Sequence, residues 1–220
     1  MTTLDIRAAV GATRAVAVVL PGGRADSFEP TTARQLSGVR MRPFAAALHR
    51  DGARHGLAVW SVRYRVRGWN GQQASPLLDV TSALEQVRDR HGDVPVVLVG
   101  HSMGGRIAMR LAGYDTVIAA VGLAPWLPDG EPVDQVSGRR ILLAHGDRDG
   151  VTSLRETQRF AQRAAPYAAE LDLVIVRGER HAMLLRARTW HQLATAFALD
   201  SLGLREIPNG VRGVLERGYA

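Results

Sequence analysis

Six short apolar runs, separated by amphipathic or turn-forming stretches, constrain this chain more than any other feature: Ala15 to Leu20, Leu57 to Val62, Pro95 to Val99, Val117 to Leu123, Ile141 to Ala144 and Leu171 to Val176. They are apolar without alternation, as strands covered on both faces are, and covered strands separated by helices form a parallel sheet. The expected architecture is α/β: a doubly wound, mostly parallel sheet of about seven strands with helices on both faces, with Met1 to Ala9 adding an antiparallel edge.

The intervening segments carry helix signals. Ser75 as a cap and Pro76 at the first helical position open a helix in which Leu77, Val80, Leu84 and Val87 recur at spacings of three and four, before His91 and Gly92 end it. Ser153 with Glu156 reads as a capping box ahead of Leu154, Phe160, Ala161 and Ala164. Trp190, Leu193 and Phe197 mark a last helical face ending near Gly203. Gly22 to Arg42 reads as a long connection, and loops of that length are usually functional or mobile. Trp126 to Gly138 has no helical period, and Pro208 to Ala220 reads as a short docking helix or tail.

The 220 residues read as one domain, large enough to bury roughly 70% of the unfolded chain's surface without help from a metal or disulfide. There is no cysteine, which excludes disulfides and thiolate chemistry. The longest unbroken apolar run, Ala15 to Leu20, is far below the about 18 residues of a spanning helix, and Asp5 and Arg7 interrupt the place of a signal peptide's apolar stretch. A soluble, cytoplasmic protein with no membrane partner is expected. The net charge of +7 comes from 28 arginines and no lysine, spread from Arg7 to Arg217 without a basic run of five. With only 5% aromatic residues to stack on bases, no nucleic-acid partner is expected.

The most informative segment is Val96 to Gly105, an apolar strand running into Gly100-His101-Ser102-Met103-Gly104 and then into helix-compatible Arg106 to Leu111. A G-x-S-x-G turn puts the serine at the strained apex of a strand-to-helix turn, with glycines that let neighbouring backbone pass close by. Further on, His145-Gly146-Asp147-Arg148-Asp149 follows one apolar run and Gly178-Glu179-Arg180-His181 follows the next. In this order the chain resembles the α/β-hydrolase family over about residues 14 to 200.

That resemblance implies a Ser, Asp, His triad: Ser102 as nucleophile, Asp149 as the acid with Asp147 as its competitor, and His181 as the base. A serine hydroxyl is a poor nucleophile at neutral pH, so a histidine must take its proton and a carboxylate must orient that histidine. The resemblance also implies an oxyanion hole made by the amide of Met103 and one from Leu20-Pro21-Gly22-Gly23-Arg24. Proline there replaces the family's histidine, and the second donor stays open between Gly23 and Arg24. Family lids commonly enter after the strand that here ends at Leu123, and the short stretch before the next strand implies an open site without a sizeable cap. Trp69 and Trp126 follow strand ends on the same side and are expected as pocket walls.

The activity implied is a serine hydrolase cleaving carboxylic ester or thioester bonds of a small soluble substrate through an acyl-serine intermediate. Acyltransferases and cofactor-free peroxidases of similar fold use the same triad, and a non-catalytic binding member of the fold is the reading from another class. No cofactor and no metal are expected: the histidines form no defensible ligand set, and Gly22-Gly23 lacks the Gly-Lys-Ser/Thr ending of a phosphate cradle. His145 reads as a packing or hydrogen-bonding residue, and His101 occupies a variable elbow position.

Overall fold

A computed structural model describes residues 2–220 and contains a seven-stranded sheet: β1 (Thr3–Arg7), β2 (Ala15–Leu20), β3 (Leu57–Arg63), β4 (Val96–His101), β5 (Val117–Leu123), β6 (Arg140–Gly146) and β7 (Glu170–Val176). The spatial order is β1-β3-β2-β4-β5-β6-β7; β1 runs antiparallel to β3 and every other neighbouring pair is parallel. The chain therefore winds outward in one direction from β2 and in the other from β4. Connections leaving these two adjacent strands diverge, which opens a crevice at their carboxyl ends, where ligands bind in open α/β sheets.

Six helices cover the sheet: α1 (Leu36–Gly52), α2 (Ser75–His91), α3 (Met103–Arg110), α4 (Leu154–Ala164), α5 (Ala187–Ser201) and α6 (Asn209–Arg217). On one face Phe44 and Leu48 of α1, Trp190 and Phe197 of α5 and Leu215 of α6 pack on Val19, Val99 and Val121. On the other, Val80 and Leu84 of α2, Ile107 of α3 and Phe160 of α4 pack on Val18, Trp60, Leu98 and Leu143. Every residue of β2 and β4 is buried, which is why their sequences are apolar without alternation.

The structure departs from the sequence reading in two places. The connection read as running to Arg42 ends earlier, because α1 starts at Leu36. Its start is silent in sequence, since Gln35 makes no side-chain cap and Gly38 and Pro43 interrupt the pattern. Ser75 is not a cap: Ala74, at φ 43°, holds that position, and the Ser75 hydroxyl accepts from Asn70 Nδ2 at 3.1 Å. The rest of the long connection is pinned along the segment after β3, with Arg24 N donating to Arg67 O, Gly68 N to Ser27 O and Trp69 N to Arg24 O, each at 2.9 Å.

Between β5 and β6 the chain makes only a short 3₁₀ turn at Asp134–Val136, so no helical lid enters there. Beyond α6, Gly218 and Ala220 bond to Ile175, so the chain end pairs with the outer edge of β7. Among the described residues, no helix is long and apolar enough to cross a membrane. The Ser153 hydroxyl accepts from Glu156 N at 3.2 Å at the start of α4. Ser153→Ala removes that cap and is expected to lower stability by about 1 kcal/mol in urea denaturation.

Candidate active site

β4 ends at His101 and α3 begins at Met103, which leaves one residue to make the turn. Ser102 makes it at φ 55° and ψ −118°, a conformation that costs a non-glycine residue about 1–3 kcal/mol. The surroundings hold it there: Ser102 N donates to Leu123 O at 3.0 Å, and Ser102 O accepts from Arg106 N at 3.2 Å and Trp126 N at 3.0 Å. The flanking glycines are steric necessities. A Cβ on Gly100 would lie 2.1 Å from Gly104 O, and one on Gly104 would lie 2.2 Å from Leu20 O.

The loops after β6 and β7 close on each other beside this turn. Arg148 N donates to Glu179 O at 3.0 Å, and Asp147 Oδ1 accepts from Gly178 N at 2.6 Å, so Asp147 serves as a tie between loops. Asp149, whose side chain is fully buried, faces His181: Nδ1 of the imidazole is 2.8 Å from Asp149 Oδ2. The same carboxylate accepts from Val151 N at 2.7 Å, Thr152 N at 3.0 Å and Thr152 Oγ1 at 2.9 Å, and His145 Nε2 stands 3.3 Å away. Burial alone would raise its pKa. The hydrogen bonds from His145, His181 and the Thr152 and Val151 amides outweigh burial and hold Asp149 ionised, well below the usual carboxylate range.

These contacts settle the tautomers. Nδ1 of His181 faces a carboxylate and carries the proton, which leaves Nε2 with its lone pair. Nε2 of the fully buried His145 faces Asp149 Oδ2 and, at 3.3 Å, Thr152 O, both acceptors, so it is the protonated nitrogen; Nδ1 accepts from Thr157 Oγ1 at 2.8 Å. Among the described residues neither the Ser102 hydroxyl nor His181 Nε2 has a hydrogen-bond partner. Ser102 is joined to the His181 loop through its neighbour: His101 Nε2 donates to His181 O at 3.0 Å, and the two imidazoles lie 4.7 Å apart.

The loop after β2 reaches the same crevice. A Cβ on Gly22 would lie 3.3 Å from Ser102 Cβ, and one on Gly23 would strike the Met103 side chain. Because the Arg24 amide donates to Arg67 O, it is spent on that ribbon, whereas the amides of Gly23 and Met103 have no partner among the described residues. Trp69 and Trp126 meet edge to face, with centroids 6.3 Å apart, and hold the Arg106 guanidinium between them at 3.8 and 4.5 Å. Arg106 and Arg110 both pair with buried Glu131. The two indoles, Arg106 and Arg110 line a cavity of about 670 Å³, whose lining does not include Ser102, Met103 or His181.

Sequence reasoning passed over three residues here, His101, Thr152 and Glu179, and read a fourth, His145, as a packing or hydrogen-bonding residue. His101 is buried against the His181 loop, and Thr152 and His145 both serve Asp149. Glu179 is buried and accepts from Arg180 N, Arg186 N and Trp190 Nε1, which sets the loop that carries His181. Only the His-Gly-Asp spacing around His145 offered a local hint; the others depend on contacts between distant segments.

Comparison with known proteins gives the family and the fold. The sequence model described as "Alpha/beta hydrolase family" matches residues 17–215. A 58-residue stretch is 50% identical to lipase LipV of Mycobacterium tuberculosis, covering 25% of this chain and 22% of that protein. The fold superposes on an alpha-beta serine hydrolase homologue from Coxiella burnetii with a TM-score of 0.66 at 16% identity, covering 88% of this chain and 90% of that one. It superposes on Thermogutta terrifontis esterase 2, phosphoramylated by tabun, with a TM-score of 0.69 at 18% identity, covering 92% and 90%.

Burial, with the nearby His181 as a lesser cause, pushes the His101 pKa down to about 3. In the unfolded chain this histidine binds a proton near pH 6.5, so its contribution is fully present above that pH and folding stability falls as pH drops through the window toward 3, by up to about 1.4 kcal/mol per pH unit. The Asp149 contribution is lost only below the ordinary carboxylate value, outside most of this window. Urea denaturation between pH 7 and 4.5 should therefore show the stability of wild type falling more steeply than that of His101→Gln; parallel curves would contradict this.

Proposed function

We propose that this chain, which belongs to the alpha/beta hydrolase family, is a serine hydrolase that cleaves carboxylic ester or thioester bonds of a small soluble substrate through an acyl intermediate on Ser102. The observation that carries this reading is the pair of buried Asp149 with partly exposed His181, beside a serine held at positive φ. In this reading His181 Nε2 takes the Ser102 proton as Oγ attacks the carbonyl carbon, and Asp149 stabilises the imidazolium that forms. The amides of Gly23 and Met103 receive the oxyanion, a type of donor whose loss costs about 3 kcal/mol of transition-state stabilisation. His181 then gives its proton to the leaving oxygen or sulfur, and water repeats the sequence on the acyl-serine.

The relatives' names support an ester-directed chemistry as far as they go: a lipase over a short stretch, and an esterase and a serine hydrolase homologue by fold. In this reading Trp69 and Trp126, which follow strand ends on the side of the serine, wall the space for one arm of the ester. A non-catalytic role draws on one observation, the unpartnered Ser102 hydroxyl, but catalytic hydrogen bonds commonly tighten only when substrate is bound.

Hydrolysis of p-nitrophenyl and thioester substrates of increasing acyl length tests the reading. Ser102→Ala and His181→Ala are each expected to abolish turnover, and the double variant to lose no more than either alone, because the triad acts as a unit. Thr152→Val removes the hydroxyl that bonds Asp149 Oδ2 and is expected to lower kcat about 10- to 100-fold with KM little changed. Activity that survives Ser102→Ala would refute the proposal.

A further inference from the structure

Exposed apolar side chains gather at one end of the sheet. Phe28, Leu36, Val39, Val151, Leu184 and Leu185, six of the ten large apolar residues exposed among those described, stand on segments that leave the carboxyl ends of β2, β6 and β7, the end at which Ser102 turns. Val151, Leu184 and Leu185 are 73%, 69% and 72% exposed. Single exposed apolar residues are ordinary, whereas a group of them around a crevice marks a surface that meets an apolar partner.

The loops hold these residues out. Between His181 and Leu184 the chain passes through Met183, which is buried and held at φ 58°, so the loop is anchored there while the two leucines that follow stay in water. Val151 adjoins Thr152, whose hydroxyl lies 3.2 Å from His181 Nδ1, so the apolar tips of both loops flank the same imidazole. Leu36 and Val39, three residues apart, share one face of the first turns of α1.

Charge selects the partner. Arg34, Arg148, Arg180, Arg186 and Arg188, on or beside the same segments, are exposed, and none forms an ion pair among the described residues. The exposed acids there are fewer: Asp147 is tied to Gly178 N, Glu29 is paired with Arg67, and Asp26 remains. The carboxylates of Asp149 and Glu179 lie buried beneath, met by donors of their own. Leucines flanked by arginines suit a lipid interface, where apolar side chains enter the acyl boundary and guanidinium groups meet anionic headgroups. A second copy of this chain would instead set like charges against each other across the contact. We propose that this rim docks the chain on an anionic lipid surface, with the serine crevice facing it. The inference goes beyond the hydrolase reading: it concerns where the chain works and leaves the bond cleaved as stated above. The expectation of no membrane partner came from the want of a spanning run, which docking of this kind does not need.

Sedimentation with vesicles of phosphatidylcholine alone, and of an equimolar mixture with phosphatidylglycerol, tests it. The wild-type chain is expected to bind the mixed vesicles about 10-fold more tightly than pure phosphatidylcholine and to lose most of that difference in high salt. Leu184→Ser with Leu185→Ser should weaken binding to the mixed vesicles about 10-fold, and Arg186→Gln with Arg188→Gln should shrink the preference for them. Urea denaturation of both variants should match wild type, because the four side chains are exposed. Ser102→Ala should bind as wild type does, so the outcome is read independently of whether esters are hydrolysed. No binding to mixed vesicles, or binding that the leucine variant retains in full, overturns the inference. Self-association of wild type on size-exclusion chromatography that the leucine variant abolishes, without vesicle binding, would assign the rim to a second copy and likewise overturn it.

Discussion

A buried carboxylate must be compensated or it will not stay ionised, and the arrangement at the strand ends is organised around meeting that demand at Asp149. Two backbone amides, one hydroxyl and two imidazoles converge on its oxygens. Removing an ion's hydration is expensive, so the set acts as a whole: a missing donor would leave charge uncompensated in a dry site. Satisfying the carboxylate fixes the loop after β6, and through His181 it fixes the loop after β7. Thr152, whose hydroxyl is also 3.2 Å from Ala124 O, ties the same point to the end of β5. The orientation of the imidazole follows from this packing.

The sheet topology brings the remaining parts together. β2 and β4 are neighbours in the middle of the sheet, and the connections that leave them go opposite ways. At their carboxyl ends Gly22 and Gly23 meet Ser102 and Met103, tightly at Gly22 and with no room for a Cβ at Gly23. Backbone strain gathers in the same place: of the five non-glycine residues with positive φ among the described residues, Ser102, Ala124 and Met183 surround the site. Strain of this kind persists only where neighbours over-determine it, and here the Leu123, Arg106 and Trp126 bonds to the Ser102 backbone do so. The Trp69–Arg106–Trp126 stack joins Arg106 of α3 to Trp126 after β5, the two residues whose amides bond Ser102 O.

Much of this was legible in the sequence because it is written in local rules. Strands buried on both faces must be apolar throughout, so the Ala15 to Leu20 run coincides with β2 and the Val117 to Leu123 run with β5. The serine turn was legible because a sharp turn between two crowded backbones leaves glycine as the only residue that fits. What stayed hidden depends on contacts between distant segments. The start of α1 has no capping side chain, and the Arg24 amide is removed from contention by a carbonyl in another segment, Arg67 O. His101 and Glu179 read as ordinary polar residues until the fold buries one against His181 and surrounds the other with amide donors.

The central claim is that Ser102 Oγ is the atom that attacks. Reaction of the intact protein with a fluorophosphonate, followed by peptide mass mapping, addresses it most directly. A single adduct on the peptide carrying Ser102, absent in Ser102→Ala and formed far more slowly in His181→Ala, is the result expected. An unmodified protein, or an adduct that persists in Ser102→Ala, would contradict the account.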